Sequence, residues 1–360
     1  MVDQGTGLWP TDIAALYGIT ADMDARNQTV GVISLGGGYD PNDLDLALKG
    51  MSRRKPNIIP VSVSGGVNNF QHGSPADIEL SLDLQILCSL LPSADIVIYF
   101  AQNGGQALAD AIEMAVKRNA NRPSVLSISF GQGESSWLDT ELNNVNTALE
   151  AAAQAKITVL AASGDHLATN GNPDGMAHVC FPASNPIVFA VGGTQFTLSP
   201  DQKTKLQESA WDDAVTHQGT GGGISNFFDV PDYQKGLGLP TSVSTRTPGR
   251  GIPDFAAAAS PNPGYRIVVN GKEKVQSGTS AATPLWAAIV AIANSRRNAS
   301  LGDFHAGLYS SVEVCSQITQ GNNKVGDVGY SVVAGETWNA CAGLGVPIGA
   351  RTINALCAMP

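Results

Sequence analysis

The sequence has few basic residues, cysteines and histidines, and it contains no long hydrophobic run. Its 360 residues include 21 lysine and arginine residues, five cysteines and five histidines. No apolar run approaches the roughly 18 residues that a membrane-spanning helix needs, so a membrane partner is not expected. With 31 acidic residues the formal net charge is −10. Since no basic stripe is present to replace phosphate counterions, nucleic acid is not expected as a partner either.

The cysteine pattern argues against a metal cluster, because the sequence contains no Cys-x-x-Cys pair. The odd number of cysteines allows at most two disulfides. Cys315, Cys341 and Cys357 lie close together near the end of the chain. A bridge among them and buried free thiols are equally good interpretations of this spacing.

Short apolar segments rich in β-branched residues alternate with helical patterns in the first half of the chain. Near-continuous apolar runs are typical of strands buried on both faces of a parallel sheet. Alternating strands and helices indicate βαβ units with right-handed crossovers. We therefore predict an α/β fold with a mostly parallel, largely buried central sheet flanked by helices. The predicted strands are 29–34, 58–63, 95–100, 124–129, 157–162 and 187–191, and the predicted helices are 43–53, 75–90, 105–119 and 137–155.

Segment 192–275 differs in composition, with GTGGG at 219–223 and PNPG at 261–264. Aromatic and apolar residues continue through it, so we expect loops and short hairpins within one domain over residues 1–360, and not a linker. Segment 275–296 then has the pattern of a loop leading into a long apolar helix.

A serine stands at the start of this helix, within SGTSAATP at 277–284. The positive end of the helix dipole would favour an alkoxide developing on Ser280. The structural alternative is a helix N-cap, a position that serine often occupies. A nucleophilic serine needs a base, and the five histidines are scattered. His72, in a His-Gly-Ser sequence before Pro75, is one candidate for that base.

The helix predicted at 75–90 carries two acidic residues four positions apart. Glu79 and Asp83 project from one helical face, and apolar neighbours nearly all round predict that the helix is buried. A buried pair can avoid repulsion by sharing one proton, which raises one pKa and lowers the other. A solvated acidic face is the alternative, and it suits Asp77 better than it suits this pair.

Asp165 ends the segment AASGD at 161–165, immediately after a predicted buried strand. An ionised carboxylate there would repel an oxyanion, whereas a protonated carboxyl would donate a hydrogen bond to it. An ordinary Gly-Asp turn is the structural alternative.

These segments together resemble the sedolisin family of serine-carboxyl peptidases, and the resemblance extends over nearly the whole chain. Because many motifs match in order, the resemblance is specific. Beside the Glu79–Asp83 helix, the matching motifs are LWPTDIAALYGI (8–19), ISLGGGYD (33–40), SISFG (127–131), SGD (163–165), VCFPAS (179–184), VGGT (191–194), GGGIS (221–225), RGIPDFAA (250–257), SGTSAATPLW (277–286) and AGLG (342–345).

The resemblance implies a subtilisin-like three-layer fold and an acid-active endopeptidase that needs no catalytic cofactor. It assigns Ser280 as nucleophile, Glu79 as general base, Asp83 as the partner that tunes Glu79, and Asp165 as oxyanion donor. Activity would be confined to acid pH, because base and oxyanion donor are both carboxyl groups.

The resemblance also implies polypeptide substrates that extend along Ser129, Phe130 and Gly131 and add a strand through backbone hydrogen bonds. Some relatives carry Asp where this chain has Cys180, near the pocket for the substrate side chain. Without that charge we expect no marked preference for Arg or Lys before the cleaved bond. Some relatives carry Glu in place of Ser34 and Trp in place of Phe130. We therefore expect the carboxylate network to end at Asp83 or to continue through water.

The family has a C-terminal calcium site, and both of its carboxylate side chains are amides in this chain. Calcium affinity depends strongly on ligand charge, so we expect a weak or absent site, with Glu336 or Asp327 as possible replacements. The corresponding residues are Gln317, Ile318, Gly335, Thr337 and Asn339.

By resemblance, we expect a monomer that is secreted or works in an acidic compartment, and a prodomain that is removed on maturation. The first residues lack a signal-like segment, which favours a mature form or a cytosolic protein. Two alternatives stay open: a neutral subtilisin-like peptidase that uses His72, and a catalytically silent peptide-binding homologue.

Overall fold

The computed structural model describes residues 7–213, 215–311 and 314–360. Its strands are β1 Thr29–Leu35, β2 Asn57–Ser62, β3 Asp95–Ala101, β4 Val125–Ile128, β5 Gln132–Gly133, β6 Thr158–Ala162, β7 Cys180–Phe181, β8 Phe189–Leu198, β9 Lys205–Ala210, β10 Asp212–Asp213, β11 Gln218–Gly219, β12 Gly223–Ile224, β13 Gly251–Ile252, β14 Phe255–Ala258, β15 Tyr265–Val269, β16 Lys272–Gln276, β17 Cys315–Ser316 and β18 Val346–Pro347.

The longer helices follow the periodic segments of the sequence, and side chains cap the N-termini of two of them. Asp40 caps α2 by accepting a hydrogen bond from Asn42, and Ser74 caps α3 in a capping box with Asp77. The α-helices are α1 Pro10–Leu16, α2 Pro41–Gly50, α3 Pro75–Leu90, α4 Gly105–Lys117, α5 Asp139–Gln154, α6 Thr279–Arg297, α7 His305–Ser310 and α8 Ala350–Cys357.

The central sheet has the strand order β14-β8-β6-β4-β1-β3-β2, and β9 pairs with β8 at its side. The pairs along this order are parallel, and only the β8–β9 pair is antiparallel. The strands of the sheet centre are buried on both faces, as their continuous apolar runs predict. The predicted α/β fold with a mostly parallel, buried sheet is therefore confirmed.

Helices cover both faces of the sheet, because alternate residues of each strand point to opposite sides. In β3, Ile96 and Ile98 belong to the apolar cluster that contains α3 and α6, whereas Val97 and Tyr99 belong to the cluster that contains α4 and α5. This arrangement gives three layers. The α6 helix is buried over nearly its whole length and packs against α3 and the central strands.

The expectation for segment 192–275 was incomplete. It does contain hairpins such as β15–β16, but it also supplies β9 and β14 to the central sheet. β14 is the four-residue strand Phe255–Ala258, with three alanines and no β-branched residue. Its sequence therefore carries only a weak strand signal, and pairing with β8 decides its conformation.

Each of the five cysteines is a free thiol, so the interpretation without disulfides is correct. Cys315 and Cys341 are buried, and Cys357 is half-buried. Within the described ranges no helix is both long and apolar enough to cross a membrane.

Candidate active site

The candidate site lies where the carboxyl ends of the central strands meet the start of α6. Ser129 follows the last residue of β4, and Asp165 lies three residues after the end of β6. In open parallel sheets the loops at the carboxyl ends of the strands gather at one edge, where ligands bind. α6 packs across β4 and β6, so its first turn reaches the same edge.

Ser280 is the second residue of α6 and is 7% exposed. Its hydroxyl lies 3.4 Å from the carbonyl oxygen of Ser129. Gly278, just before the helix, has φ +121°, and a Cβ there would lie 2.6 Å from Asp165 Oδ2. Glycine is therefore required at this position for the backbone turn and for the approach of the Asp165 carboxyl.

Asp77, expected on a solvated acidic face, is instead fully buried, so this prediction was wrong. Its carboxylate accepts hydrogen bonds from four backbone N–H groups at 2.7–3.0 Å, those of Gly38, Gln71, Gly73 and Ser74. A buried carboxylate is tolerated when donors satisfy it. Asp77 thus fixes the loop that leads into α3 and the direction in which the helix starts.

Glu79 and Asp83 lie one turn apart on α3, in a buried environment that raises both pKa values. Burial is the main cause that raises the pKa of Glu79, to about 7. A hydrogen bond from Ser280 lowers this pKa, and the charge of Asp165 raises it further. Burial and then the charge of Glu79 hold the pKa of Asp83 well above its ordinary value, against a hydrogen bond from Ser129.

Both carboxyls of this pair keep one buried oxygen without a hydrogen-bond donor. These atoms are Glu79 Oε1 and Asp83 Oδ2, and Asp83 is fully buried. Two buried acceptors with no donor are unfavourable. A single proton held between the two carboxyls would satisfy both atoms and avoid a double negative charge.

The Asp165 carboxyl contacts the first residue of α6. Its Oδ1 accepts hydrogen bonds from the backbone N–H of Thr279 at 2.7 Å and from the Thr279 hydroxyl at 2.8 Å. Burial raises the pKa of Asp165, and the two bonds from Thr279 lower it by less. The carboxyl therefore takes up a proton at a higher pH than an exposed aspartate does.

The segment Ser129–Phe130–Gly131 runs along the edge of the site. The Ser129 hydroxyl donates to Asp83 Oδ1 at 2.8 Å. A cleft of about 150 Å³ borders this segment at Phe130 and Gly131. The lining residues are Leu35, Asn103, Gly104, Gly105, Leu108, Phe130, Gly131, Gln132 and Trp137.

Comparison with known proteins places the chain in a family: a family model described as the subtilase family matches residues 65–319. The chain belongs to the subtilase family. Its sequence is 38% identical to kumamolisin from Bacillus sp. (strain MN-32) over 355 residues, which are 98% of this chain and 64% of kumamolisin. It is 28% identical to sedolisin from Pseudomonas sp. (strain 101), covering 93% of this chain and 59% of that protein.

The fold of this subtilase also matches a solved structure of Pseudomonas sedolisin, described as a serine-carboxyl proteinase complexed with two molecules of pseudo-iodotyrostatin. The TM-score is 0.85 with 27% identity, and the match covers 97% of each chain. These likenesses confirm the predicted subtilisin-like three-layer fold and the prediction of a sedolisin-family, kumamolisin-like catalytic domain. The chain spans about three fifths of the length of the curated relatives named above.

Two residues with sequence-predicted roles are not brought to the centre of the site. His72 is exposed with φ +56°, packs edge-on against Phe70 at 5.8 Å between ring centroids, and accepts a hydrogen bond from Asn270 through its carbonyl oxygen. The described contacts of Ser280 do not include it. Cys180 is buried beneath the segment Ser129–Phe130–Gly131, where a Cβ on Gly131 would lie 2.5 Å from its sulfur.

The residues of the subtilase's C-terminal segment do not fit a calcium site. Asn339 is buried, its Oδ1 accepts from the N–H groups of Cys341 and Ala342, and its Nδ2 donates to the carbonyl oxygen of Ile318 at 3.4 Å. The Asn339 amide nitrogen thus bonds to the Ile318 carbonyl oxygen, which a bound cation would need as a ligand. Gln317, Gly335 and Thr337 are exposed, as are Glu336 and Asp327. In the described ranges, no group of three or more His, Cys, Asp or Glu side chains is arranged to hold a metal.

Sequence reasoning missed two side chains that contact the candidate residues, namely Ser129 with Asp83 and Thr279 with Asp165. Their signal was present in SISFG and SGTS, but neither motif reveals which carboxyl its hydroxyl meets. Ser34 does not take part, because its hydroxyl donates to the carbonyl oxygen of Gly36 at 3.0 Å.

Proposed function

We propose that this chain is an acid-active serine-type endopeptidase. In it, Ser280 is the nucleophile, Glu79 the general base, Asp83 the partner that tunes Glu79, and Asp165 the oxyanion donor. The observation that carries the proposal is that Ser129 joins Ser280 to Asp83. Its carbonyl oxygen lies 3.4 Å from the Ser280 hydroxyl and its own hydroxyl 2.8 Å from Asp83 Oδ1, in a site where Glu79, Asp83 and Asp165 all have raised pKa values. Groups with such perturbed pKa values in a cleft are candidates for acid–base work.

In the first step, Ser280 Oγ attacks the carbonyl carbon of the peptide bond while its proton passes to Glu79. The carbonyl oxygen becomes an oxyanion, to which protonated Asp165 donates a hydrogen bond. The intermediate then collapses, the C–N bond breaks, and Glu79 returns the proton to the leaving amine. An acyl ester on Ser280 remains.

In the second step, water attacks this ester and gives its proton to Glu79. Collapse of the second tetrahedral intermediate breaks the bond to Ser280 Oγ, which recovers the proton from Glu79. The carboxylic acid product leaves and the enzyme returns to its starting state. Asp83 supports both proton transfers because it shares a proton with Glu79 and so sets the pH at which that base is ionised.

The pH dependence follows from the opposite states that the carboxyls need. Glu79 must be ionised to accept a proton, so activity falls at low pH, where the Glu79–Asp83 pair takes up its second proton. Asp165 must be protonated to donate, so activity falls as the pH rises through its raised pKa. The expected profile is bell-shaped with an acidic optimum.

The proposed substrates are polypeptides, bound in extended form along Ser129, Phe130 and Gly131 through backbone hydrogen bonds. The subsite near Cys180 carries no carboxylate at that position, so no marked preference for Arg or Lys before the cleaved bond is proposed. Catalysis needs no cofactor in this scheme. The proposal extends to a single monomeric catalytic domain over residues 1–360, secreted and matured by removal of a prodomain, as the likeness to kumamolisin suggests.

The decisive experiment is a pH–rate profile on a denatured protein substrate, with Ser280→Ala and His72→Ala beside the unmodified chain. We expect an optimum well below neutrality, loss of roughly 10⁴-fold or more with Ser280→Ala, and no loss with His72→Ala. An optimum near pH 8 that His72→Ala abolishes would instead identify a neutral peptidase. Absence of both turnover and a covalent adduct on Ser280 with a peptide aldehyde would identify a silent homologue.

A further inference from the structure

Ser129 contacts two members of the proposed catalytic group through different atoms. Its hydroxyl donates to Asp83 Oδ1 at 2.8 Å, and the same hydroxyl lies 3.4 Å from the carbonyl oxygen of Ser280. Its own carbonyl oxygen lies 3.4 Å from the Ser280 hydroxyl. One residue at the end of β4 therefore links the nucleophile on α6 to the carboxyl pair on α3.

Within the described ranges, the Ser129 hydroxyl is the one hydrogen-bond donor that Asp83 has. The other oxygen of Asp83 has no donor, and the hydroxyl of Ser34 is used by Gly36. Glu79, on the same helix, is the charged group that acts on Asp83, and Asp165 acts in turn on Glu79. The elements that pack against α3 include α1, α2, α6, β1 and β15, and they bring no cation to Asp83.

We propose that Ser129 is a positioning residue at the end of the series of interacting carboxyls Asp165, Glu79 and Asp83. Its hydroxyl holds Asp83 Oδ1 and thereby leaves Oδ2 as the oxygen that meets Glu79. This inference rests on the proposed function, because it assigns a role in the same proton transfers. It also gives Ser129 a side-chain role beside the backbone role expected in substrate binding.

The physical reason is the cost of a carboxylate that lacks donors in a buried place. The hydroxyl stabilises the charged form of Asp83, and the hydrogen bond lowers the pKa of Asp83 against the effect of burial. Without it, both oxygens of Asp83 would lack a donor, and the Glu79–Asp83 pair would take up its second proton at a higher pH. Glu79 would then be protonated, and unable to act as a base, over a wider range of acidic pH.

The test compares Ser129→Ala, which removes the donor, with Ser129→Thr, which keeps it. In pH–rate profiles on one peptide substrate, Ser129→Ala should move the acidic limb of kcat/KM upward by about one pH unit, equal to a tenfold change in proton affinity. At pH values below the optimum kcat should fall about tenfold, while KM changes little because the backbone contacts remain. Ser129→Thr should keep the acidic limb of the unmodified enzyme.

Ser34→Ala is the matched control, because it also removes a buried hydroxyl near the end of a central strand, one that bonds to Gly36 and not to Asp83. Its pH profile should not move. If Ser129→Ala fails to fold, Ser129→Cys offers a weaker donor of similar size and should give a shift of the same direction.

Three results would overturn the inference: an unmoved acidic limb in Ser129→Ala, a limb that moves equally in Ser34→Ala, or a change confined to KM. Failure of the proposed function looks different. In that case the unmodified chain shows no acid peptidase activity, or Ser280→Ala leaves that activity intact.

Discussion

Two groups of buried carboxyls in this molecule have pKa values shifted in opposite directions. Glu79, Asp83 and Asp165 all have raised pKa values. Asp254, which is fully buried between β13 and β14, has a pKa well below the ordinary range. Burial acts to raise the pKa in both places, so burial alone does not explain the difference.

The difference lies in the partners of Asp254. Burial is the largest single influence and raises the pKa, but the charge of Arg250, at 2.7 Å from Asp254 Oδ2, and hydrogen bonds together outweigh it. The Tyr309 hydroxyl donates to Oδ1 at 2.6 Å, and the backbone N–H of Ala190 donates to Oδ2 at 2.7 Å. The described contacts of Glu79, Asp83 and Asp165 include no arginine or lysine.

His305 adds a second cation to the Asp254 group. Its ring stacks between Phe189 and Tyr233, at centroid distances of 3.7 and 4.4 Å, and its Nδ1 lies 2.7 Å from Asp303. Burial lowers the pKa of His305, but its contacts with Asp254 and Asp303 raise it by more. Cations thus hold Asp254 in its charged form, whereas Glu79 and Asp83 have no such partner among their described contacts, and burial raises their pKa values.

Removing the buried charge of Asp254 should have the largest effect. Asp254→Asn leaves Arg250 fully buried without its counterion, and we expect the free energy of unfolding to fall by about 3–5 kcal/mol. Urea denaturation at pH 5 measures it. Glu79→Gln is the contrasting variant and should cost less than about 1 kcal/mol, because no cation is left behind. Equal losses in the two variants would show that the carboxyl groups do not differ in structural role.

Removing Asp165 should affect catalysis by a similar amount. Asp165→Ala deletes the proposed oxyanion donor, so kcat should fall about 10²- to 10³-fold, or roughly 2.7–4 kcal/mol. Steady-state kinetics at the acidic optimum measure it. The loss should appear in kcat while KM changes little. A variant with unchanged kcat would leave Asp165 as an ordinary acceptor for Thr279.

The charge of His305 should make stability depend on pH. Its folded pKa is raised, so its contribution is fully present below the unfolded value of about 6.5 and is lost as the pH rises through the folded pKa. His305→Phe keeps a ring between Phe189 and Tyr233 but removes the charge. We expect it to cost about 1.5–3 kcal/mol at pH 5 and less at pH 9.

The raised pKa values of Glu79, Asp83 and Asp165 act in the same direction, since their protonated forms favour the folded state at low pH. Asp254 acts oppositely: its contribution is present above its unfolded pKa and is lost as the pH falls through the lowered folded value. Unfolding curves of the unmodified chain and His305→Phe at several pH values separate these effects. A difference between the two proteins that stays constant with pH would refute the role of the His305 charge.

The smallest expected effect concerns calcium. Since the Asn339 amide already bonds to the Ile318 carbonyl, addition of a chelator should leave the Tm unchanged. Asn339→Asp removes that donor and should cost on the order of 1 kcal/mol without calcium. Thermal unfolding with and without calcium measures both. A large drop in Tm with chelator in the unmodified chain would contradict the expected loss of the site.

The sequence was informative where local pattern and chemistry coincide. Apolar runs predicted β1, β2, β3, β4, β6 and the start of β8, and all of these except the edge strand β2 are largely buried, as such runs indicate. The position of Ser280 at the start of an apolar helix, and the spacing of Glu79 and Asp83 on another, were readable for the same reason. A periodic pattern fixes which residues share a face.

Other features depend on contacts between residues far apart in the chain. β14 joins the sheet with an alanine-rich segment, because pairing with β8 outweighs its weak strand propensity. The sequence around Asp77 predicts a solvated residue, but the side chain is buried. Four backbone N–H groups, from a distant turn and from its own loop, donate hydrogen bonds to its carboxylate there.

The sequence by itself therefore determined the fold class and the identity of the candidate catalytic residues. The tertiary structure decided which carboxyls meet a cation and which meet only hydroxyls, as Asp254 meets Arg250 and Asp83 meets Ser129. The physical reason is that a carboxyl's pKa depends on charges and donors within a few ångströms. Its neighbours in sequence supply few of these, and the packing of distant strands and helices supplies the rest.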